Sequence, residues 1–181
     1  MKSWHTLGSK VILENPWIKI YKDTVMLPSG KPGEYTYIEN LPFVLVAGIG
    51  ERGWLLVRQF RYPIQQTTIE FPAGGIEGSE TPLAAAKREF LQETGCIAQH
   101  WAKAGILHES LSTNKTHGTV FVAEGLTDTH KNEMQEEGID TCLSLTEDEI
   151  NAQILAGKIV DAKTIASFFL VKQFLQNRKD V

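Results

Sequence analysis

The stretch from Thr81 to Gly95 constrains the chain most, because it specifies a helix of defined length and puts two like charges at a fixed separation on it. Thr81 can cap a helix, Pro82 suits its first position, and Leu83, Ala86, Phe90 and Leu91 recur at helical spacing until Gly95 ends the pattern. Glu89 and Glu93 stand four residues apart, so both carboxylates lie on one face, one turn above the other. Such a pair repels by about a few tenths of a kcal/mol. Either solvent absorbs the repulsion, leaving a solvated face with Lys87 and Arg88 as ordinary counter-charges, or a hard divalent ion such as Mg²⁺ sits between the carboxylates. Arg88 could then hold a carboxylate in position.

Upstream lies Phe71-Pro-Ala-Gly-Gly75, expected as a tight loop between a strand and the helix, followed by Glu80. Glycine lets backbone approach a ligand closely, and main-chain carbonyls in such a turn can serve as hard oxygen ligands. Taken from Gly74 to Cys96, the residues Gly74, Glu80, Arg88-Glu89-Phe90, Gln92-Glu93 and Gly95-Cys96 resemble the Nudix box, G-x5-E-x7-R-E-U-x-E-E-x-G-U. The resemblance implies an α+β fold, an α/β/α sandwich built on a mixed β-sheet. It also implies a pyrophosphohydrolase using Mg²⁺, or Mn²⁺ in its place. Glu89 and Glu93 would be the principal metal ligands with the main-chain carbonyl of Ala73, and Arg88 would belong to the catalytic set. One position departs: Gln92 stands where the family has the first glutamate of the Glu-Glu pair, so it would join the metal only through its oxygen or a water. Cys96 takes the terminal apolar position, where a thiol acts as a small hydrophobe.

Arg58-Gln-Phe-Arg-Tyr62 and Ile69-Glu-Phe-Pro-Ala-Gly74 extend the likeness to the ADP-ribose and nucleoside diphosphosugar pyrophosphatase branch, as does Gly157-Lys-Ile-Val-Asp161-Ala-Lys-Thr before an apolar helix. The branch implies Arg61 and Glu70 as substrate-binding residues, the guanidinium stacking on a base or binding a phosphate. It also implies a general base from a mobile loop beyond the box, here Glu133-Met-Gln-Glu136-Glu137-Gly138, with Glu137 preferred and Glu136 next. ADP-ribose is the first expected substrate, hydrolysed to AMP and ribose 5-phosphate; GDP-mannose or another nucleoside diphosphate derivative is the alternative. The Pro-Gly pair common in ADP-ribose pyrophosphatases is replaced by Glu109-Ser-Leu-Ser-Thr-Asn114, which leaves the substrate open. A weakened domain that binds and senses a nucleotide sugar is the competing class, motivated by Gln92. His108 and His117 are read as surface hydrogen-bonding residues before substrate contacts.

The chain has 181 residues, 42% hydrophobic, enough to bury one proper core. A charge of −4 argues against a phosphate-coating surface, so no nucleic-acid partner is expected. Cys96 and Cys142 lack metal-ligand spacing, which fits a reducing, cytoplasmic setting. The start Met-Lys-Ser-Trp-His shows no leader, and no apolar run approaches the ~20 residues needed to span a bilayer, so no membrane partner is expected. Residues 1–42 read as a β-rich region with short strands at 10–13, 17–21, 23–27 and 35–38. In related proteins such a region helps form a homodimer, which is the expectation here, with Trp4 and Trp17 as core or dimer contacts. Residues 43–181 read as the catalytic domain, with strands at 43–47, 54–57, 104–107 and 119–123, a polar loop at 127–140, and helices from Thr146 and from about Asp161 to Gln176.

Overall fold

The computed structural model describes residues 3–179. They gather into two compact units, one running to Pro42 and including His108–His117, the other comprising Phe43–Leu107 and the residues from Gly118 onward.

The first unit is a three-stranded antiparallel sheet in the order β1 (His5–Glu14), β2 (Ile18–Met26), β3 (Pro32–Asn40). Two strands expected at 17–21 and 23–27 are one. Lys22-Asp23 does not interrupt it, because β2 is paired on both edges and Lys22 bridges to Glu34 on β3 at 2.8 Å. The 108–117 segment binds β3: Ile38 N–H donates to Thr113 O, Lys115 N–H to Ile38 O, and the Tyr35 hydroxyl to Ser112 O at 2.6 Å. His108 and His117, both exposed, bring their rings to 5.8 Å. Every residue of β1 is exposed, as are Trp4 (53%) and Trp17 (72%), so neither tryptophan is a core residue of the chain.

The second unit is built by strands whose successive residues point to opposite faces. Its mixed sheet contains β4 (Phe43–Gly50), β5 (Gly53–Arg61), β6 (Gln66–Glu70), β7 (Ala73–Gly75), β8 (Cys96–His108), β9 (His117–Asp128) and β10 (Ile139–Leu145). The main order is β10-β5-β4-β9-β8, with β6 on β5 and β7 on β4; β4 and β9 run parallel while the β4–β5, β5–β10, β5–β6 and β4–β7 pairs run antiparallel. On β4, Val44 and Val46 face one core with Phe121 and Ala123 of β9. Leu45 and Ala47 face the other with Val120 and Val122.

Helix α1 (Pro82–Thr94) covers the first core through Ala85, Ala86 and Phe90; α2 (Glu147–Leu155) and α3 (Ala162–Lys179) cover the second through Ile150, Phe168 and Val171. This is the expected α+β sandwich. Caps set the helix ends. The Thr81 hydroxyl accepts from Ala84 N–H, Gly95 takes φ 72° as its N–H returns to Leu91 O, Thr146 and Glu149 form a capping box, and the Asp161 carboxylate accepts from Thr164 N–H.

Three local expectations change. Residues Ala73–Gly75, expected within a loop, pair with β4 as β7, because β4 offers them an edge to pair with. Strands β8 and β9 outrun their apolar segments because one side of each end is exposed and tolerates polar residues. The polar loop shrinks to residues 129–138, its two ends belonging to β9 and β10. No helix among the described residues is long and apolar enough to cross a membrane.

Candidate active site

Glu89 and Glu93 fall on the inward side of α1, in line with Ala85, Ala86 and Phe90, and are only 6% and 5% exposed. The solvated-face alternative therefore does not hold for this pair. Buried carboxylates must be hydrogen-bonded, neutralised or paired. Glu93 Oε2 accepts from Ala73 N–H at 3.0 Å. That single bond does not offset its environment: burial, and then the Glu89 and Glu137 charges, push the Glu93 carboxyl up to about 8. Glu89 is also raised, by burial first and by Glu137 and Glu77, against the opposing pull of Arg88. The Glu89 carboxyl lies directly over Gly74, where any Cβ would overlap it, so the glycine makes room for the carboxylate.

Arg88 is the hub of this face. Its guanidinium donates to Glu80 Oε1 at 2.6 Å, Glu89 Oε1 at 2.6 Å, Gly75 O at 2.9 Å and Gln92 Oε1 at 3.1 Å. It thus ties β7, the segment before α1, and α1 itself together, and it holds the Glu80 carboxyl below the usual carboxylate range. With its donors so engaged, Arg88 orients the acidic side chains. Gln92 points its oxygen to Arg88 and donates through Nε2 to Glu133 Oε2 at 2.7 Å.

At the ends of β5 and β6, Arg61 donates through Nε and Nη2 to the two oxygens of Glu70 at 2.9 and 2.6 Å. Glu70 also accepts from the Thr68 hydroxyl. Burial alone would raise Glu70, but Arg61 and Thr68 outweigh it and hold the carboxyl below its ordinary value. Arg61 keeps a side chain 41% exposed, with Nη1 outside this pair. Its field also reaches Glu93.

The loop supplies the third acidic group. Glu136 and Glu137 are exposed, and both donate their N–H to Glu133 O, forming one turn. Glu137 is the loop carboxylate whose charge acts on both Glu89 and Glu93. Sequence reasoning did not single out Thr68 or the Gln92–Glu133 bond. Neither carries a local signal, for the second joins residues 41 apart in the chain.

The donor set suits a hard divalent cation. Among the described residues no three His, Cys, Asp or Glu side chains converge into a closed cage. Mg²⁺, however, needs only one or two carboxylates and keeps much of its water. Glu89 and Glu93, buried, mutually repelling and seated over a glycine turn, answer that description.

Comparison with known proteins places the chain in a family. Residues 42–168 match the family profile described as NUDIX domain, and residues 4–38 that described as nucleoside diphosphate sugar hydrolase N-terminal domain. The chain belongs to the Nudix family of hydrolases, whose members generally use divalent metal ions. Within it the chain falls in the ADP-ribose and nucleoside diphosphosugar pyrophosphatase-like branch, as a Nudix pyrophosphohydrolase. It is 29% identical over 178 residues to the ADP-ribose pyrophosphatase of Bacillus subtilis (strain 168), covering 96% of each chain. It is 36% identical over 132 residues to the ADP-sugar pyrophosphatase of Mus musculus, covering 65% of this chain and 61% of that one. A crystal structure of an ADP compounds hydrolase superposes with a TM-score of 0.85 at 16% identity, over 100% of this chain and 98% of that one, a likeness of fold.

Proposed function

We propose that this protein hydrolyses the pyrophosphate bond of a nucleoside diphosphate sugar, with ADP-ribose first, giving AMP and ribose 5-phosphate. The observation that carries the reading is the buried Glu89–Glu93 pair, on which the charge of Glu137 in the loop acts. The names of the relatives from Bacillus subtilis and mouse support the substrate class.

Glu89, Glu93 and the Ala73 carbonyl would hold the cation, Mg²⁺ first and Mn²⁺ as substitute; Gln92 would join at most through a water. Bound there, the cation supplies charge neutralisation on the phosphate oxygens and lowers the pKa of a bound water. Glu137 takes the proton of the attacking water as its oxygen bonds to phosphorus and the bridging P–O bond breaks. Glu136 is the alternative base. Arg88 orients Glu89, and Arg61, held by Glu70, offers its outward donors to phosphate or its plane to a base. We further assign residues 1–42 to a homodimer contact, with the exposed Trp4 and Trp17 on it, and the protein to the cytoplasm. A second reading, a nucleotide-sugar sensor, is favoured by the neutral side chain of Gln92.

The test incubates the protein and Glu137→Gln with Mg²⁺ and a panel of ADP- and GDP-sugars, detecting nucleoside monophosphate. Wild type should release AMP from ADP-ribose, and Glu137→Gln should lower kcat by about a hundredfold or more at unchanged metal affinity. Tight binding of one compound without product would favour the sensor. A fully active Glu137→Gln alongside a slow Glu136→Gln would move the base.

A further inference from the structure

Gln92 departs from the family pattern, and its surroundings specify an amide there. The side chain bridges Arg88, which can only donate, and the Glu133 carboxylate, which can only accept. An amide alone among the acidic and amide side chains of this length satisfies both, oxygen to arginine and nitrogen to carboxylate. A glutamate would suit Arg88 but set acceptor against acceptor at Glu133. The main chain repeats the link, since Glu133 N–H donates to Gln92 O at 2.8 Å.

Glu133 in turn begins the turn that carries Glu137: its carbonyl accepts from Glu136 N–H at 2.9 Å and from Glu137 N–H at 3.0 Å. The other end of the loop is tied to the end of α1, where Gly95 O accepts from Thr129 N–H at 2.9 Å and from its hydroxyl at 2.7 Å. The 129–138 loop is thus fastened to α1 at two points, and the one nearer Glu137 runs through the Gln92 amide.

We infer that Gln92 is a positioning residue: it latches the 129–138 loop to α1 through Glu133 and thereby sets Glu137 against the Glu89–Glu93 pair. The inference rests on the reading of Glu137 as the general base. Replacement of the family's glutamate then exchanges one anionic ligand for a loop held in place.

The test compares the full-length protein with Gln92→Glu, Glu133→Gln and the double variant, in Mg²⁺, by kcat, KM and amide hydrogen exchange of residues 129–138. Gln92→Glu should lower kcat by about tenfold, the loss of one hydrogen bond to a charged group, while KM stays within about twofold and exchange quickens. Glu133→Gln alone keeps a neutral bond and should be milder. The double variant reverses donor and acceptor and should recover most of both kcat and protection, which also excludes a general folding defect. Gln92→Glu as active as wild type, or a defect that Glu133→Gln does not rescue, would overturn the inference. So would quicker exchange at unchanged kcat. If wild type cleaves no nucleoside diphosphate derivative, the catalytic reading fails separately. The exchange data then decide the latch, upheld if protection is lost in Gln92→Glu and regained in the double variant, overturned if it does not change.

Discussion

Glu93 shows how burial and neighbouring charges set the state of one carboxylate. It is buried, receives one main-chain N–H, and feels two neighbouring carboxylates. Glu93→Gln keeps the shape and the acceptor for Ala73 N–H while removing the charge. Turnover should fall at least about a hundredfold if Glu93 holds the cation as proposed. Metal-free stability near pH 7 should change little, because Glu93 is then mostly protonated; equilibrium unfolding and steady-state assays check the two halves. The sequence showed Glu89 and Glu93 on one helix face, but not that this face is buried: helical spacing puts 85, 86, 89, 90 and 93 on one stripe, and only the packing of α1 on the sheet makes that stripe the covered one. It showed Gln92 as a substitution, but not what Gln92 touches.

Helix α1 was legible almost to the residue, since its ends are set by local chemistry, the Thr81 hydroxyl at one and Gly95 at the other. Gly95 sits at φ 72°, and a Cβ there would come no closer than 3.4 Å to Asn132 and Lys131, so the obstacle to a side chain is conformational. Gly95→Ala should destabilise by about 1 kcal/mol, and Gly95→Asn by less, as read by chemical denaturation. Strands were less legible. Strand β7 has three residues, two of them glycine, and no alternation to detect; it exists because β4 offers an edge to it. The outer parts of β8 and β9 are polar for the same kind of reason, since a partner strand and not their own composition keeps them extended.

Over the whole molecule, the acidic site contributes to how stability depends on pH. The folded value of Glu93, about 8, lies above its unfolded one, so the folded state holds the proton more tightly. Its contribution is fully present below the ordinary carboxylate pKa and is lost as pH rises through about 8. The metal-free protein should therefore melt at lower temperature at pH 9 than at pH 6: stability falls by on the order of 1.4 kcal/mol per pH unit at most between the ordinary carboxylate pKa and about 8, and levels off above it. On the proposed assignment Mg²⁺ would compete with that proton, so it should raise the melting temperature more at pH 9 than at pH 6; scanning calorimetry with and without Mg²⁺ checks this. An equal Mg²⁺ shift at both pH values would contradict the assignment of Glu93 to the metal.

Residues 74–96 carry the resemblance that points to reaction class, and the caps of the helices and the continuous apolar runs of β4 and β9 point to elements and buried strands, because box spacing, capping and apolar runs are local properties of the chain. The burial of Glu89 and Glu93, the pairing of Arg61 with Glu70 and the fastening of the loop through Gln92 arise only in the folded chain. Each depends on groups brought together across the sheet or across many residues, and the energy of a buried charge is set by what surrounds it, not by its neighbours in sequence.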